Sequence, residues 1–358
     1  MDIVTHGLAS FAIARGFFPR AGKLAMASAV LAGTIADIDW LSNYFGPWGF
    51  LTWRGTYIHS ILAAILISAA IPAIPLSAIF RRGLRTNVLV PKDKTISNDT
   101  RAKQRSILGT IFVAPFLLQL CAALLHIGMD ACQSDGVALF LPLSSKRFAA
   151  DWLPSIDPWI LTILIAGIAL PELFHLVSSE IGAKAKKPRG QTGGILSLAL
   201  VFVYGGVRAT LHSNVITLMQ SQAFHGETPR RASAFPEPLS PLTWHGVVET
   251  ESALNEIDVE TTSTSNFDPD ASLRLFKPEP SPALEAARNT VVARRFLAAA
   301  QIPKASMEKT ESGYIVVLRD LRYAAAGETQ HEIAALIELD LNNKVTSQEL
   351  VWGRDLRH

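Results

Sequence analysis

His126 and Asp130 stand four residues apart at the end of a long apolar run, so on one helix both side chains face the same way. A neutral imidazole beside a carboxylate is a good ligand pair for Zn²⁺, Mn²⁺ or Fe²⁺. Read alone, the pair is equally a hydrogen-bonded histidine and a capping aspartate. Asp37 and Asp39 are one residue apart, which is at odds with a shared helix face and natural in a turn. Two carboxylates that close repel unless a proton or a cation lies between them. His6, Arg54 and His59 also sit at the edges of apolar segments, as do His175, Arg208 and His212. Taken singly, each has a plain explanation: a helix start, a cap, an interfacial anchor. An ionisable residue at such a place is costly, however, and is read first as functional.

The elements that must position these residues are membrane helices. Only 18% of the 358 residues are charged, against about a quarter in soluble domains. The deficit is concentrated in the first 215 residues. Four stretches, Ile58–Phe80, Ile107–Ile127, Trp159–Val177 and Gly194–Leu211, approach or exceed the roughly 18–20 apolar residues of a bilayer span. Their prolines (Pro72, Pro75, Pro115, Pro171) are tolerable where neighbouring helices satisfy the freed backbone. Ile3–Phe18 and Leu24–Ile38 are short for full spans and read as a hairpin or a buried pair. No cleavable signal is read at the N-terminus, so insertion is expected to rely on these segments.

Lys and Arg positions set the orientation. Basic residues crowd three loops: Arg15, Arg20 and Lys23; the run from Arg81 to Arg105; and Lys184 to Arg189. The alternate loops hold only Arg54, Lys146 and Arg147. The positive-inside rule then places the basic loops in the cytoplasm and everything after Leu211 outside. On that topology His6, Asp37, Asp39, Arg54, His59, His126 and Asp130, from four segments, converge on the outer face. His212 ends the last span on that side and is a further candidate, whereas His175 falls at the cytoplasmic end.

The expected fold is therefore an all-α polytopic membrane domain of about four to six helical segments over residues 1–215. A proline-rich, polar linker (216–242) and a small soluble α+β domain (243–358) follow. That domain is expected to hold strands at Trp244–Glu249, Tyr314–Leu321, Glu332–Asp340 and Val345–Trp352, with one helix over Pro282–Ala300. Asn342-Asn343 suits a hairpin turn between the last two strands. The two cysteines, Cys121 and Cys132, are too few for a disulfide framework or a thiolate cluster. Nucleic acid is not expected as a partner, because lipid headgroups account for the basic loop beside a membrane.

The same residues carry a resemblance. Thr5-His6-Gly7, Ala36-Asp37-Ile38-Asp39, Arg54-Gly55 with His59-Ser60, and His126 to Asp130 with Gly136 and Leu141-Pro142-Leu143-Ser144 beyond are similar to the motifs of the YdjM-type family of membrane-bound, metal-dependent hydrolases. Arg147-Phe148 to Asp157-Pro158 continues in that manner, and the resemblance covers about residues 1–215. Ala36 replaces the family's usual Pro, Trp53 replaces the first His of a His-Arg pair, Ile58 stands where Thr is usual, and one extra residue separates Arg54 from His59.

The resemblance implies a hydrolase. His6, Asp39, His59, His126 and Asp130 would hold one or two divalent ions, Zn²⁺ foremost with Mn²⁺ or Fe²⁺ as alternatives. Asp37 would orient a water as base or bridge the ions, and Arg54 would bind a phosphate or an oxyanion. The surface position favours an amphiphilic substrate, a phosphoester or lipid-linked molecule foremost. The rival expectation is a non-catalytic, metal-stabilised scaffold whose outer domain binds a partner. A transporter is disfavoured, since transport sites generally lie near the bilayer midplane.

Overall fold

Helix α1 (Ile3–Phe17) begins where the Asp2 carboxylate accepts hydrogen bonds from the Val4 and Thr5 amides. It carries His6 in its second turn, and its small Ala12 and Ala14 are fully buried. Helix α2 (Lys23–Ala32) packs against it and stops at Gly33, where a β-carbon would lie 1.9 Å from Ser10 Oγ. A 3-10 stretch (Ile35–Phe45) follows and leads into α3 (Gly46–Trp53). The expected single segment Leu24–Ile38 is thus two elements, broken at Gly33 by contact with α1. After a short 3-10 turn (Tyr57–His59) come α4 (Ile61–Pro72), α5 (Ala114–Ala131), α6 (Pro158–Glu180) and α7 (Gln191–Gln220). Asp157 caps α6 by accepting from the Trp159 and Ile160 amides.

The computed structural model describes residues 1–20, 22–72, 112–180, 190–263, 267–323 and 332–356, the side chains of 175–180 excepted. Among these, α5 and α7 are long and apolar enough to cross a membrane. The pair of α2 and Ile35–Trp53, bent by 40°, would make a third span if it acts as one. Helices α1 and α4 and the Pro158–Phe174 part of α6 are apolar but shorter. Two to three candidate spans therefore stand where four to six segments are expected. Parts of Ile58–Phe80 and Ile107–Ile127, and the basic runs 81–105 and 184–189, lie outside the described residues.

The chain divides into two units. The first holds the described residues of Met1–Asp39, Gly55–Ala150 and Ser155–Gly205; the second holds those of Trp40–Arg54, Asp151–Pro154 and Gly206–His358. In the first, α1, α2 and α5 pack mutually, and α6 packs on α1.

The second unit is built on two four-stranded antiparallel sheets. One sheet runs β1 (Arg231–Pro236), β2 (Thr243–Glu249), β3 (Ala253–Glu260) and β4 (Leu273–Phe276) in order. Strand β2 is buried on both faces, from Trp244 to Val248. Trp244 and Val248 face Val215 and Met219 of α7, while Val247 packs with Phe235, Leu254, Ile302 and Leu321. The stretch expected as a linker therefore contains a strand, and Ala234 and Phe235 of β1 are core residues. Small residues and a terminal proline hide its apolar pattern.

The second sheet runs β5 (Pro303–Lys309), β6 (Gly313–Asp320), β7 (Ile333–Asp340) and β8 (Val345–Trp352). Helices α8 (Pro282–Arg288) and α9 (Val291–Leu297) pack against it through Leu284, Ala287, Ala293 and Phe296. The one helix expected over Pro282–Ala300 is split because Thr290 adopts an extended conformation and caps α9, accepting from the Ala293 amide. Asn342-Asn343 makes the β7–β8 turn, with Asn343 at φ +62° and the Asp340 carboxylate accepting from the Asn342 and Lys344 amides. Phe50 of α3 is buried in this core, edge-on to Trp352 at 5.6 Å.

Glu227 accepts from the Ser252 amide (3.1 Å) and hydroxyl (2.6 Å) and pairs with Arg274. The Ser252 hydrogen bonds, with the Arg274 charge in support, hold its carboxyl down at about 2, against an ordinary 4.5. A depressed acid stabilises the fold above its unfolded value and loses that contribution as pH falls toward the folded one. Thermal unfolding of Glu227→Gln should consequently depend less on pH between about 4.5 and about 2 than the parent does.

Candidate metal centre

The four ligand atoms offered by His6, Asp37, His126 and Asp130 lie within 4.8 Å of one another, and all four residues are buried. Asp2 fixes the start of α1 and with it His6, whose ring stacks on His126 with centroids 3.7 Å apart. His126 and Asp130 project together from α5 at the expected i, i+4 spacing. Asp37 comes from the 3-10 stretch beyond Gly33, its Oδ2 lying 3.9 Å from His126 Nδ1.

The Gly33 carbonyl decides the tautomer of His126. His126 Nδ1 lies 2.8 Å from that oxygen, and a carbonyl only accepts, so Nδ1 carries a proton. In the neutral ring Nε2 is then a lone pair, aimed at Asp130 Oδ2 from 3.3 Å and at His59 Nε2 from 3.2 Å. A lone pair facing a carboxylate oxygen in a dry interior is repulsive unless a cation or a proton lies between them. His6 Nδ1 is likewise buried and has no hydrogen-bond partner among the described residues. Two imidazoles and two carboxylates of this kind form a donor set for a first-row divalent ion, so the residues fit a metal.

Asp130 is the centre of the arrangement. Its Oδ1 receives the Met1 amino group, the Gln133 side-chain amide (2.5 Å) and His6 Nε2 (3.1 Å). Its Oδ2 faces His59 Nε2 at 3.0 Å. His59 Nδ1 in turn lies 3.1 Å from Asp39 Oδ2. Asp39 accepts from the Gly55 amide at 2.7 Å, and the Gly55 carbonyl accepts from the Ala138 amide at 2.9 Å. Gly55 thus ties Asp39 to the chain just beyond Asp130. It stands at φ +64°, and a β-carbon there would sit 2.8 Å from the Gly136 carbonyl. Gly55→Ala should cost about 1–2 kcal/mol for the left-handed backbone alone. Metal titration of that variant should show weaker binding, because Asp39 and His59 lose their anchor.

Of the residues expected to act here, His6, His126, Asp130 and Asp37 form the tight group, and Asp37 joins the other possible ligands rather than standing apart from them. Asp39 and His59 make a pair at its edge. Arg54 belongs to the second unit, where it caps α3 and its guanidinium lies 5.2 Å from the Trp40 ring centre. His212 is not in the group: it also belongs to the second unit, tilted against Trp244. Arg208 is completely buried, donating to the Trp152 carbonyl (3.0 Å) and the Pro241 carbonyl and lying 4.1 Å from the Trp244 ring centre. The side chain of His175 lies outside the described residues. Gln133, the Gly33 carbonyl and the Met1 amino group are participants that sequence reasoning does not name. Gln133 was within reach of it, one helical turn beyond Asp130.

No curated protein and no solved structure matches the chain. The family model of the YfhP C-terminal alpha/beta plait domain matches residues 282–357, which hold α8, α9 and β5–β8. The family model of the YdjM inner membrane protein matches residues 1–215, the span that contains every member of the His/Asp group. The chain belongs to the YdjM inner membrane protein family.

Proposed function

We propose that this chain is a metal-dependent hydrolase of the inner membrane, with His6, Asp37, His126 and Asp130 as ligands. The observation that carries the reading is the His126 Nε2 lone pair turned toward Asp130 Oδ2, an arrangement that a cation or a proton between them would relieve and that a divalent ion fits. These four residues would hold a divalent ion, Zn²⁺ foremost, which when bound would supply Lewis acidity to acidify a water and polarise the bond to be split. Asp39 and His59 form the acid–base pair. The carboxylate, held by the Gly55 amide, orients the imidazole, and the imidazole takes and returns a proton at Nε2. Gln133 keeps Asp130 from rotating. Arg54 has no part in this reading, since its guanidinium is engaged over Trp40.

The distribution of Lys and Arg supports an extracytoplasmic position for the site and for the residues after α7. A site at that boundary favours an amphiphilic substrate, a phosphoester or a lipid-linked molecule foremost. The depth of the group favours one rival: His6, His59 and His126 are no more than 2% exposed, as suits a metal that staples helices without turning over substrate. Metal analysis of detergent-purified protein, followed by assays on phosphodiester and lipid substrates, separates the two. Stoichiometric metal with turnover, both absent from a His126→Ala/Asp130→Ala variant, supports the hydrolase. Metal without turnover leaves the scaffold, and no metal even after reconstitution overturns both.

A further inference from the structure

A cleft of about 500 Å³ opens within the second unit, well away in sequence from the His/Asp group. One wall is a face of the first sheet, where Arg231 and Ser233 of β1 alternate inward beside Val247 and Glu249 of β2. Facing them are Leu284 and Arg288 of α8, Leu297 of α9, and Lys304 and Leu318 of the second sheet. Its size is that of a small-molecule pocket.

Two features define what it can hold. The lining includes four basic side chains, Arg231, Lys277, Arg288 and Lys304, against one carboxylate, Glu249. Lys277 satisfies that carboxylate, with Nζ 2.7 Å from Oε1. The remaining three cations, of which Arg231 also donates to the Gln301 carbonyl at 3.4 Å, line the cavity with no second acid among the described lining residues. Between them the surface is apolar: Val247, Leu254, Leu284, Leu297, Ile302 and Leu318. A second hollow over α8 shares Leu284, Arg288 and Leu297 and adds the polar Ser281, Glu285 and Asn289, so the apolar strip along Leu284 and Leu297 ends at a mixed rim. A bare inorganic anion would leave these walls wet, and a neutral hydrocarbon would leave the charges unused. An anionic head on a single alkyl tail satisfies both.

We propose that the cleft between the two sheets of the C-terminal unit binds a single-chain anionic amphiphile, its head held by Arg231, Arg288 and Lys304 and its tail along Leu284 and Leu297. The site is separate from the metal centre and lies in the part of the chain that follows the last membrane helix. It serves to capture such a molecule, or to sense its abundance.

The test is calorimetric titration of the full chain, held in phosphatidylcholine nanodiscs with empty discs as the reference for partitioning, with decyl phosphate as the probe. Excess chelator excludes binding through a metal. Saturable binding is expected, at least tenfold tighter than for inorganic phosphate or for decyl maltoside. Arg288→Glu/Lys304→Glu should weaken it tenfold or more, while Arg294→Glu, a charge reversal on α9 outside the cleft, should leave it unchanged. Leu297→Gln should weaken decyl phosphate and spare any binding of phosphate. Equal affinity for phosphate would reduce the cleft to an anion site, and equal affinity for decyl maltoside would reduce it to a tail groove. Either result, the absence of saturable binding, or an unaffected Arg288→Glu/Lys304→Glu variant overturns the proposal.

Discussion

Asp130→Asn is expected to yield protein without bound metal and with a lower melting temperature. The substitution keeps the shape of the side chain and removes the charge on which His6, His59, His126, Gln133 and the Met1 amino group converge. Taking away one member of a buried charged set leaves the others uncompensated, at a cost of about 3–5 kcal/mol. Replacing even a group behind a ligand lowers metal affinity about 10–100-fold, so loss of a direct ligand should exceed that. Metal analysis and thermal unfolding, with and without added Zn²⁺, read the two effects separately. The parent should be stabilised by the ion and the variant should not respond. A variant that keeps stoichiometric metal would show that Asp130 is a structural acceptor and not a ligand.

The second large effect is expected at Arg208. This fully buried guanidinium donates to the carbonyls of Trp152 and Pro241 and stacks beside Trp244, the largest fully buried side chain. Arg208→Met fills much of the space and removes both charge-assisted bonds, leaving two carbonyl oxygens without that donor. At about 1.5–3 kcal/mol for each such bond, less the cost of burying the cation, the net loss should be about 3 kcal/mol. Arg208→Lys should recover little of it, because one ammonium cannot reach two diverging carbonyls and cover a ring together. Thermal unfolding followed by circular dichroism would register this. Unchanged stability in both variants would mean that the buried cation costs as much as it returns.

The core of the candidate site was legible because its clues are local. His126 and Asp130 announce themselves by helical spacing, and Asp37 and Asp39 by the repulsion that their proximity entails. The structure brings His6, Asp37, His126 and Asp130 together from segments far apart in sequence. What stayed hidden is carried by backbone: the Gly33 carbonyl that fixes His126 and the Gly55 amide that holds Asp39 have no side-chain signature. In the second unit, β2, β6, β7 and β8 were readable from their apolar runs or their turn. Strand β5 was not, since Pro303–Lys309 is polar and half-exposed. Strand β3 carries a clear alternation at Glu256–Glu260 that should have been read. The break between α8 and α9 depends on a single threonine that prefers to cap a helix than to continue one.

Phe50 finds its cover in Trp352, a residue roughly 300 positions further along the chain, which at about 5–20 residues per second is made some 15–60 seconds later. Throughout that interval the segment joining Asp39 to Gly55 has no permanent berth, although both of its ends belong to the His/Asp arrangement. A chain that lacks β8 would leave Phe50 without its Trp352 cover, an apolar surface prone to association.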